Sequence, residues 1–256
     1  MDLGLSGKIA LVAGGSRGCG LAIARELARE GARVVLSGRQ SQIVEEAVAD
    51  IRKAGGTVHG VVGGMVSQSE ALNLVESARS AFGDPDILVV NPPTPGNVQG
   101  FLNCSDEDFL DAHEYYTMSL VRLARLVIPA MQEQAWGRII AMASVGVKTP
   151  HLRFALCAQN TRVASVAVAK TLSYEYAKDN ITVNTIATGP FPSSLADEYN
   201  KNAGYASDRI AKSTPMGRLG RPEEMAAIVA FLCSDNSSFV SGETIRVDGG
   251  STLNLF

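Results

Sequence analysis

Short, continuous apolar runs alternate along this chain with longer stretches in which apolar residues recur every three or four positions. The runs are KIALVAG (8–14), RVVLSG (33–38), TVHGVV (57–62), DILVVN (86–91), RIIAMAS (138–144), ITVNTIA (181–187) and ETIRVDG (243–249). Runs apolar on both faces are what a parallel sheet covered on both sides requires. Between them, Gly18 to Glu30, Gln42 to Ala54, Ser69 to Phe82, Asp106 to Glu133, Ala155 to Lys178 and Pro222 to Ser234 carry the spacing of amphipathic helices. The pattern predicts a single-domain, Rossmann-type α/β fold: a doubly wound parallel sheet of about seven strands, helices on both faces, over residues 1–256. In such a sheet, ligands sit beyond the carboxyl ends of the strands, so site residues are expected just after each run. The least regular stretch, about residues 190–216, is rich in Pro, Gly, Ser and Asn and is expected to form a flexible substrate flap.

Composition changes this picture only by exclusion. A content of 46% hydrophobic and 19% charged residues over 256 residues suits one large core. A net charge of -3, without any Lys/Arg-rich run, speaks against a nucleic-acid surface. No stretch approaches the roughly 18 apolar residues that span a bilayer, and the start of the chain lacks a cationic leader. Cys19, Cys104, Cys157 and Cys233 are scattered without a C-x-x-C pair, which predicts neither a disulfide framework nor a metal site. A cytoplasmic location is expected.

After the first run comes AGGSRGCG, with Gly14, Gly18 and Gly20 spaced G-x-x-x-G-x-G directly before a helix. Glycine there lets the backbone turn tightly and approach a pyrophosphate, whose charge the free N–H groups of the helix N-terminus hold. Ser16, Arg17 and Cys19 lie in the same turn. An NAD site usually places a carboxylate about 20 positions downstream. Here the second run ends in Ser37, Gly38 and Arg39, with no acid. A 2′-phosphate is repelled by carboxylate and welcomed by guanidinium, so Arg39 and Arg17 favour NADP(H). The plainer alternative is two solvated surface arginines.

The whole chain resembles the short-chain dehydrogenase/reductase family, and within it the 3-oxoacyl carrier-protein reductases. AGGSRGCG, DILVVN, ITVNTIATGPF and PMGRLGRPEEMAAIVAFLCSDNSSFVSGETIRVDGG carry the resemblance. It implies that Asn91 contacts the adenosine ribose, that Pro190 and Ser193 hold the nicotinamide end, and that Ser144 hydrogen-bonds a substrate carbonyl. It also implies a small-molecule carbonyl or alcohol as substrate and a homotetramer or homodimer. Three positions depart from the family's pattern: Ala13 for a threonine, Met65 for the acid that bonds adenine, and Asn91–Pro93 for an Asn-Ala-Gly turn. Met65 can still pack on an apolar adenine face.

The larger departure is at the reaction centre. The family sets a proton-donating tyrosine and a lysine four residues later on one face of the long helix. Counting back from Lys170 puts these positions at Ala158 and Arg162; counting forward from Ser144 permits Cys157 and Thr161. Alanine has no proton to give, and a guanidinium gives charge rather than a proton. The family's active-site asparagine position falls at Tyr116. A relocated acid is therefore expected: Tyr116 donates, Ser144 is second donor, and Arg162 stabilises the developing negative charge. The plainer alternative is that Tyr116 fills vacated volume. Tyr115 lies about 100° round the helix and should face elsewhere. His151, Arg153, Cys157, Gln159 and Asn160 are lesser candidates for the pocket.

Three readings follow. The first is an NADP(H)-dependent oxidoreductase with an atypical active site. The second is a family fold without redox activity that serves as a binding or regulatory partner. The third is a lyase, dehydratase or isomerase working through Tyr116, Ser144 and Arg162.

Overall fold

The structure, a computed structural model, describes residues 1–92, 101–150, 156–192, 211 and 214–255, and only the backbone of residues 156–158. Seven strands, β1 (Ile9–Ala13), β2 (Arg33–Gly38), β3 (Thr57–Val62), β4 (Ile87–Val90), β5 (Gly137–Ser144), β6 (Ile181–Thr188) and β7 (Thr244–Val247), form one parallel sheet in the order β3-β2-β1-β4-β5-β6-β7. The order reverses between β1 and β4, which opens the crevice where such sheets take ligands.

Alternate residues of β1 bury on opposite faces. Ala10 and Val12 pack with Ile23, Leu27, Val34 and Met225 under the helices α1 (Gly18–Arg29), α2 (Ser41–Lys53) and α7 (Pro222–Leu232). Leu11 and Ala13 pack with Leu74, Leu88 and Leu123 under α3 (Gln68–Ala81), α5 (Ser119–Glu133) and α6 (Leu156–Glu175). Each fully buried Val, Leu or Ile contributes about 1.5–3 kcal/mol of transfer free energy. This two-sided demand is why the runs of the central strands β1, β4 and β5 lack polar alternation, whereas edge strand β3 alternates buried Val58 and Val61 with exposed Thr57, His59 and Val62.

The start of α3 is fixed by a reciprocal cap. Ser67 Oγ accepts from the Glu70 N–H, while Glu70 Oε2 accepts from the Ser67 and Val66 N–H groups at 2.8 and 3.0 Å. The end of the loop after β3 is thereby fixed to the first turn of α3.

One element differs from the sequence expectation. The long amphipathic stretch 106–133 is not one helix but α4 (Asp106–His113), a π turn (Glu114–Met118) and α5. In the π turn the Ser119 N–H reaches back five residues to the Glu114 carbonyl. Tyr115, Tyr116 and Thr117, three residues with no strong α preference, occupy this widened turn.

Candidate active site

Site residues gather after β1, β2, β4, β5 and β6. Gly14 takes φ +81° and Gly18 φ +52°, in the left-handed region that glycine tolerates best. Gly20 is required by closeness instead: a Cβ there would lie 2.1 Å from the Gly14 carbonyl oxygen and 2.7 Å from Asn91 Nδ2. At Gly14 a Cβ would lie 2.1 Å from the Asn91 carbonyl oxygen, and at Gly38 a Cβ would lie 2.2 Å from Ser16 Oγ. Around the Cβ direction of Gly18, by contrast, there is open space. The turn is therefore packed tight behind and open in front. Arg17 caps α1 without a side-chain acceptor, and no acid stands in the helix's first turn. Those N–H groups can accept an anion, so the residues present fit a pyrophosphate.

Several expected ligand contacts turn out to hold the turn itself. Asn91 Nδ2 donates to the Gly14 carbonyl at 2.9 Å, and its backbone N–H donates to the Ala13 carbonyl at 2.9 Å. The buried Ser37 hydroxyl accepts from the Gly14 N–H at 3.2 Å, and its carbonyl accepts from the Gly15 N–H at 3.0 Å. Met65 is 5% exposed and packs with Ala13, Val61 and Val90, with its Cε 3.1 Å from the Cβ position of Gly14. It fills the wall behind the glycine turn and keeps little surface to offer a base. Arg39 is exposed at the mouth, and Arg17 donates to Gln40 beside it. The first turn of α2 carries no acid. Burial pushes the Cys19 thiol up to about 11, with Glu223 adding to the shift, so it stays protonated at neutral pH.

At the reaction end, Ser144 closes β5, pairs in register with Thr188 and accepts from the Gly146 N–H at 3.3 Å. The buried Gln159 side chain lies over Gly146; a Cβ there would be 2.7 Å from Gln159 Oε1. This contact seats the start of α6 on the Ser144 turn. On the facing side Arg162 Cζ lies 4.2 Å from the centroid of the Tyr116 ring. Tyr116 is 2% exposed, and both its hydroxyl oxygen and Arg162 Nε are withdrawn from solvent. Desolvation pulls the guanidinium below its ordinary range, and the nearby phenol acts in the opposite direction. It remains a cation at neutral pH. Thr117 Oγ1 donates to the Thr161 carbonyl at 3.0 Å, tying the π turn to α6. Tyr115, like Phe109 and Cys104, packs against the buried Ala112–Tyr116 pair, so it shares that cluster instead of facing elsewhere.

Pro190 accepts from the Gly220 N–H at 3.0 Å, and the Phe191 ring covers Gly220. His151, Arg153, Ser193 and most of the expected flap at about 190–216 lie outside the described residues, as do the side chains of Cys157 and Ala158. Among the described residues there is no cluster able to hold a metal ion, and no helix is long and apolar enough to cross a membrane.

The family profile described as enoyl-(acyl carrier protein) reductase matches residues 13–252. Dehydrogenase/reductase SDR family member 4 of Oryctolagus cuniculus is 32% identical over 252 residues, covering 98% of this chain and 96% of that protein. The chain belongs to the short-chain dehydrogenase/reductase family. Among other members, a tropinone reductase homolog of Arabidopsis thaliana is 32% identical over 252 residues, with 98% and 95% coverage. L-sorbose reductase from Gluconobacter frateurii, solved with NADPH and L-sorbose, superposes with a TM-score of 0.92 at 35% identity over 100% of both chains. An actinorhodin polyketide ketoreductase solved with NADPH gives 0.90 at 30% identity, covering 98% of this chain and 99% of that one. Three residues to which the sequence assigned no role make contacts in this region: Arg122 Nη1 donates to Glu114 Oε2 and to the Val66 carbonyl, the Ser119 hydroxyl donates to the Tyr115 carbonyl, and Gln159 covers Gly146.

Proposed function

We propose that this protein is an NADP(H)-dependent oxidoreductase that reduces a small-molecule carbonyl, or oxidises the corresponding alcohol, through a rearranged set of residues. The observation that carries the reading is the glycine turn: tight against Asn91 behind, open at Gly18, and followed by an uncapped helix N-terminus without an acid. The missing carboxylate after β2 and the exposed Arg39 and Arg17 favour a 2′-phosphate, and NADPH-bound reductases are among its structural neighbours. When bound, the dinucleotide supplies the hydride that the carbonyl carbon receives. Gly14, Ser16, Gly18, Cys19 and Gly20 form its seat, braced from behind by Ser37, Met65 and Asn91, with Pro190 and Ser193 at the nicotinamide end.

The chain's own work is on the substrate oxygen. Ser144 donates a hydrogen bond to it, Tyr116 gives it a proton, and Arg162, stacked on that phenol, stabilises the phenolate left behind. A second reading, a nucleotide-binding family member without redox chemistry, is favoured by one observation: Tyr116 is 2% exposed, as a mere platform for Arg162 would be.

Fluorescence titration with NADPH and NADH tests the proposal, followed by ketones and acyl thioesters screened at the NADPH absorbance band. NADPH is expected to bind at least about tenfold tighter than NADH. Arg39→Ala should weaken NADPH alone by about 10- to 100-fold, the loss of one charge-assisted contact. Failure of both nucleotides to bind ends the reading, and binding without any turnover across the panel selects the second.

The reading extends to assembly and place. The groove between α5 and α6 is lined by Val121, Ile128, Val168 and Leu172, and Phe239, Phe231 and Ile228 are exposed near the end of the chain. Burial against symmetry mates explains such faces, so a cytoplasmic homotetramer or homodimer is proposed. Light scattering should give the mass of two or four chains; a one-chain mass refutes it.

A further inference from the structure

We infer that Arg122 is a positioning residue for the Tyr116–Arg162 pair, acting through Glu114 to hold open the π turn on which Tyr116 stands. The inference rests on the reading of that pair as the reaction centre. A π turn carries one more residue than the α turn it replaces, and one residue on an α-helix is about 100° of rotation. If the turn relaxes to α while α5 stays in the core, Tyr116 swings off Arg162 by about that angle. An α turn is the commoner conformation, so something in this chain must hold the wider one.

The turn is restrained at both ends. Ser119 donates its N–H to the Glu114 carbonyl and its hydroxyl to the Tyr115 carbonyl at 2.5 Å, satisfying acceptors that the widened turn frees. Arg122 Nη1 binds Glu114 Oε2 at 2.6 Å, and the same nitrogen donates to the Val66 carbonyl. Val66 is itself fixed, because its N–H is taken by Glu70 at 3.0 Å within the α3 cap. The first residue of the turn is thus moored, through one guanidinium, to the loop behind the glycine turn. Arg122 is about one-fifth exposed, which shelters the ion pair more than a fully solvated pair would be. Thr117, bonded to Thr161, fixes the other end of the turn against α6. Only with both ends held does the Tyr116 ring lie 4.2 Å beneath Arg162.

Arg122→Leu keeps much of the side chain's apolar bulk and removes the mooring; Glu114→Gln keeps its shape and removes the charge. Crystal structures and amide exchange over residues 114–119 read the result in the full-length protein. In Arg122→Leu the expected outcome is a Tyr116 ring beyond about 6 Å from Arg162, where the cation–π attraction ends. Exchange at the Ser119 amide should quicken at least about tenfold, that is, about 1.4 kcal/mol of lost protection. Glu114→Gln should shift both readouts in the same direction, and Arg122→Lys, which keeps a cation beside Glu114, should restore part of the protection. A residue that merely adds stability would lower the melting temperature while leaving the ring stacked. An unmoved ring in Arg122→Leu overturns the inference, and if that variant does not fold, an unmoved ring in Glu114→Gln does so. None of these readouts uses turnover, so an inactive enzyme would sink the redox reading and leave this one standing or falling on its own.

Discussion

Tyr116→Phe is expected to lower turnover by about 10² to 10⁴-fold, the usual contribution of a positioned general acid. NADPH affinity should stay within about threefold, less than 1 kcal/mol. The substitution is unusually clean here. Phenylalanine keeps the ring, its volume in the buried cluster with Ala112 and its face beneath the Arg162 guanidinium, so the 4.2 Å stack persists. Only the hydroxyl is lost. A fall in the chemical step, with KM and melting temperature little changed, therefore assigns the proton to that oxygen. Undiminished turnover makes Tyr116 the platform that its 2% exposure also fits, and the acid must then be sought elsewhere. Arg162 cannot take the role, because even pulled down by desolvation a guanidinium holds its proton on the timescale of turnover. The expected loss exceeds the roughly 2- to 13-fold that removal of one neutral hydrogen bond to a substrate would cause, about 0.5–1.5 kcal/mol. Single-turnover kinetics at saturating NADPH separate the two.

Much of this was legible from residue order. The apolar runs at 33–38 and 57–62 coincide with β2 and β3: β2 is buried almost throughout and leaves a nearly continuous hydrophobic run, whereas β3, at the sheet edge, buries only Val58 and Val61 and keeps its β-branched character. The glycine turn was legible too, since Gly14 and Gly18 take positive φ where few other residues are tolerated. What each glycine meets was not. Spacing cannot tell that Gly20 faces the Gly14 carbonyl while Gly18 faces open space.

Contacts between segments remote in sequence hid the first two of three features, and a local irregularity hid the third. Met65 reads as a residue standing where an acid might touch adenine, yet it is drawn into the core by Ala13, Val61 and Val90. Ser37 and Asn91 read as ligand contacts, and residue order does not show that Ser37 Oγ and Asn91 Nδ2 also hold Gly14 in place. The π turn interrupts an amphipathic pattern that runs unbroken from Asp106 to Glu133, because one inserted residue barely disturbs an apolar stripe. A faint signal was there in Tyr115-Tyr116-Thr117, a run with no strong helix former, followed by a serine able to bond back to a freed carbonyl. Arg122 is 56 residues from Val66, and no local rule links them.

Gly20→Ala should abolish measurable NADPH binding, an effect of at least about 100-fold or 2.7 kcal/mol. It should also destabilise the protein by about 2–4 kcal/mol, combining overpacking with one strained or broken hydrogen bond. The added carbon must find room 2.1 Å from the Gly14 carbonyl oxygen and 2.7 Å from Asn91 Nδ2. Neither neighbour can easily retreat. Gly14 is held by Ser37 on one side and Asn91 on the other, and Asn91 is itself paired by its N–H to Ala13 at the end of β1. Relief comes only by lifting the turn away from β4, and that moves the α1 N–H groups out of line with a pyrophosphate. Gly18→Ala is the matched control. Its Cβ meets nothing within 4 Å, so its cost is the left-handed backbone alone, about 1–2 kcal/mol, and the new methyl projects into open space at the turn. The two variants thus split stability from binding: Gly20→Ala should lose both, whereas Gly18→Ala should melt nearer the parent yet bind NADPH poorly. Thermal melts with and without saturating NADPH read both quantities at once, since a ligand that binds only the folded chain raises the midpoint in proportion to its occupancy. If Gly20→Ala keeps the parent's NADPH-induced shift, the nucleotide does not sit on this turn.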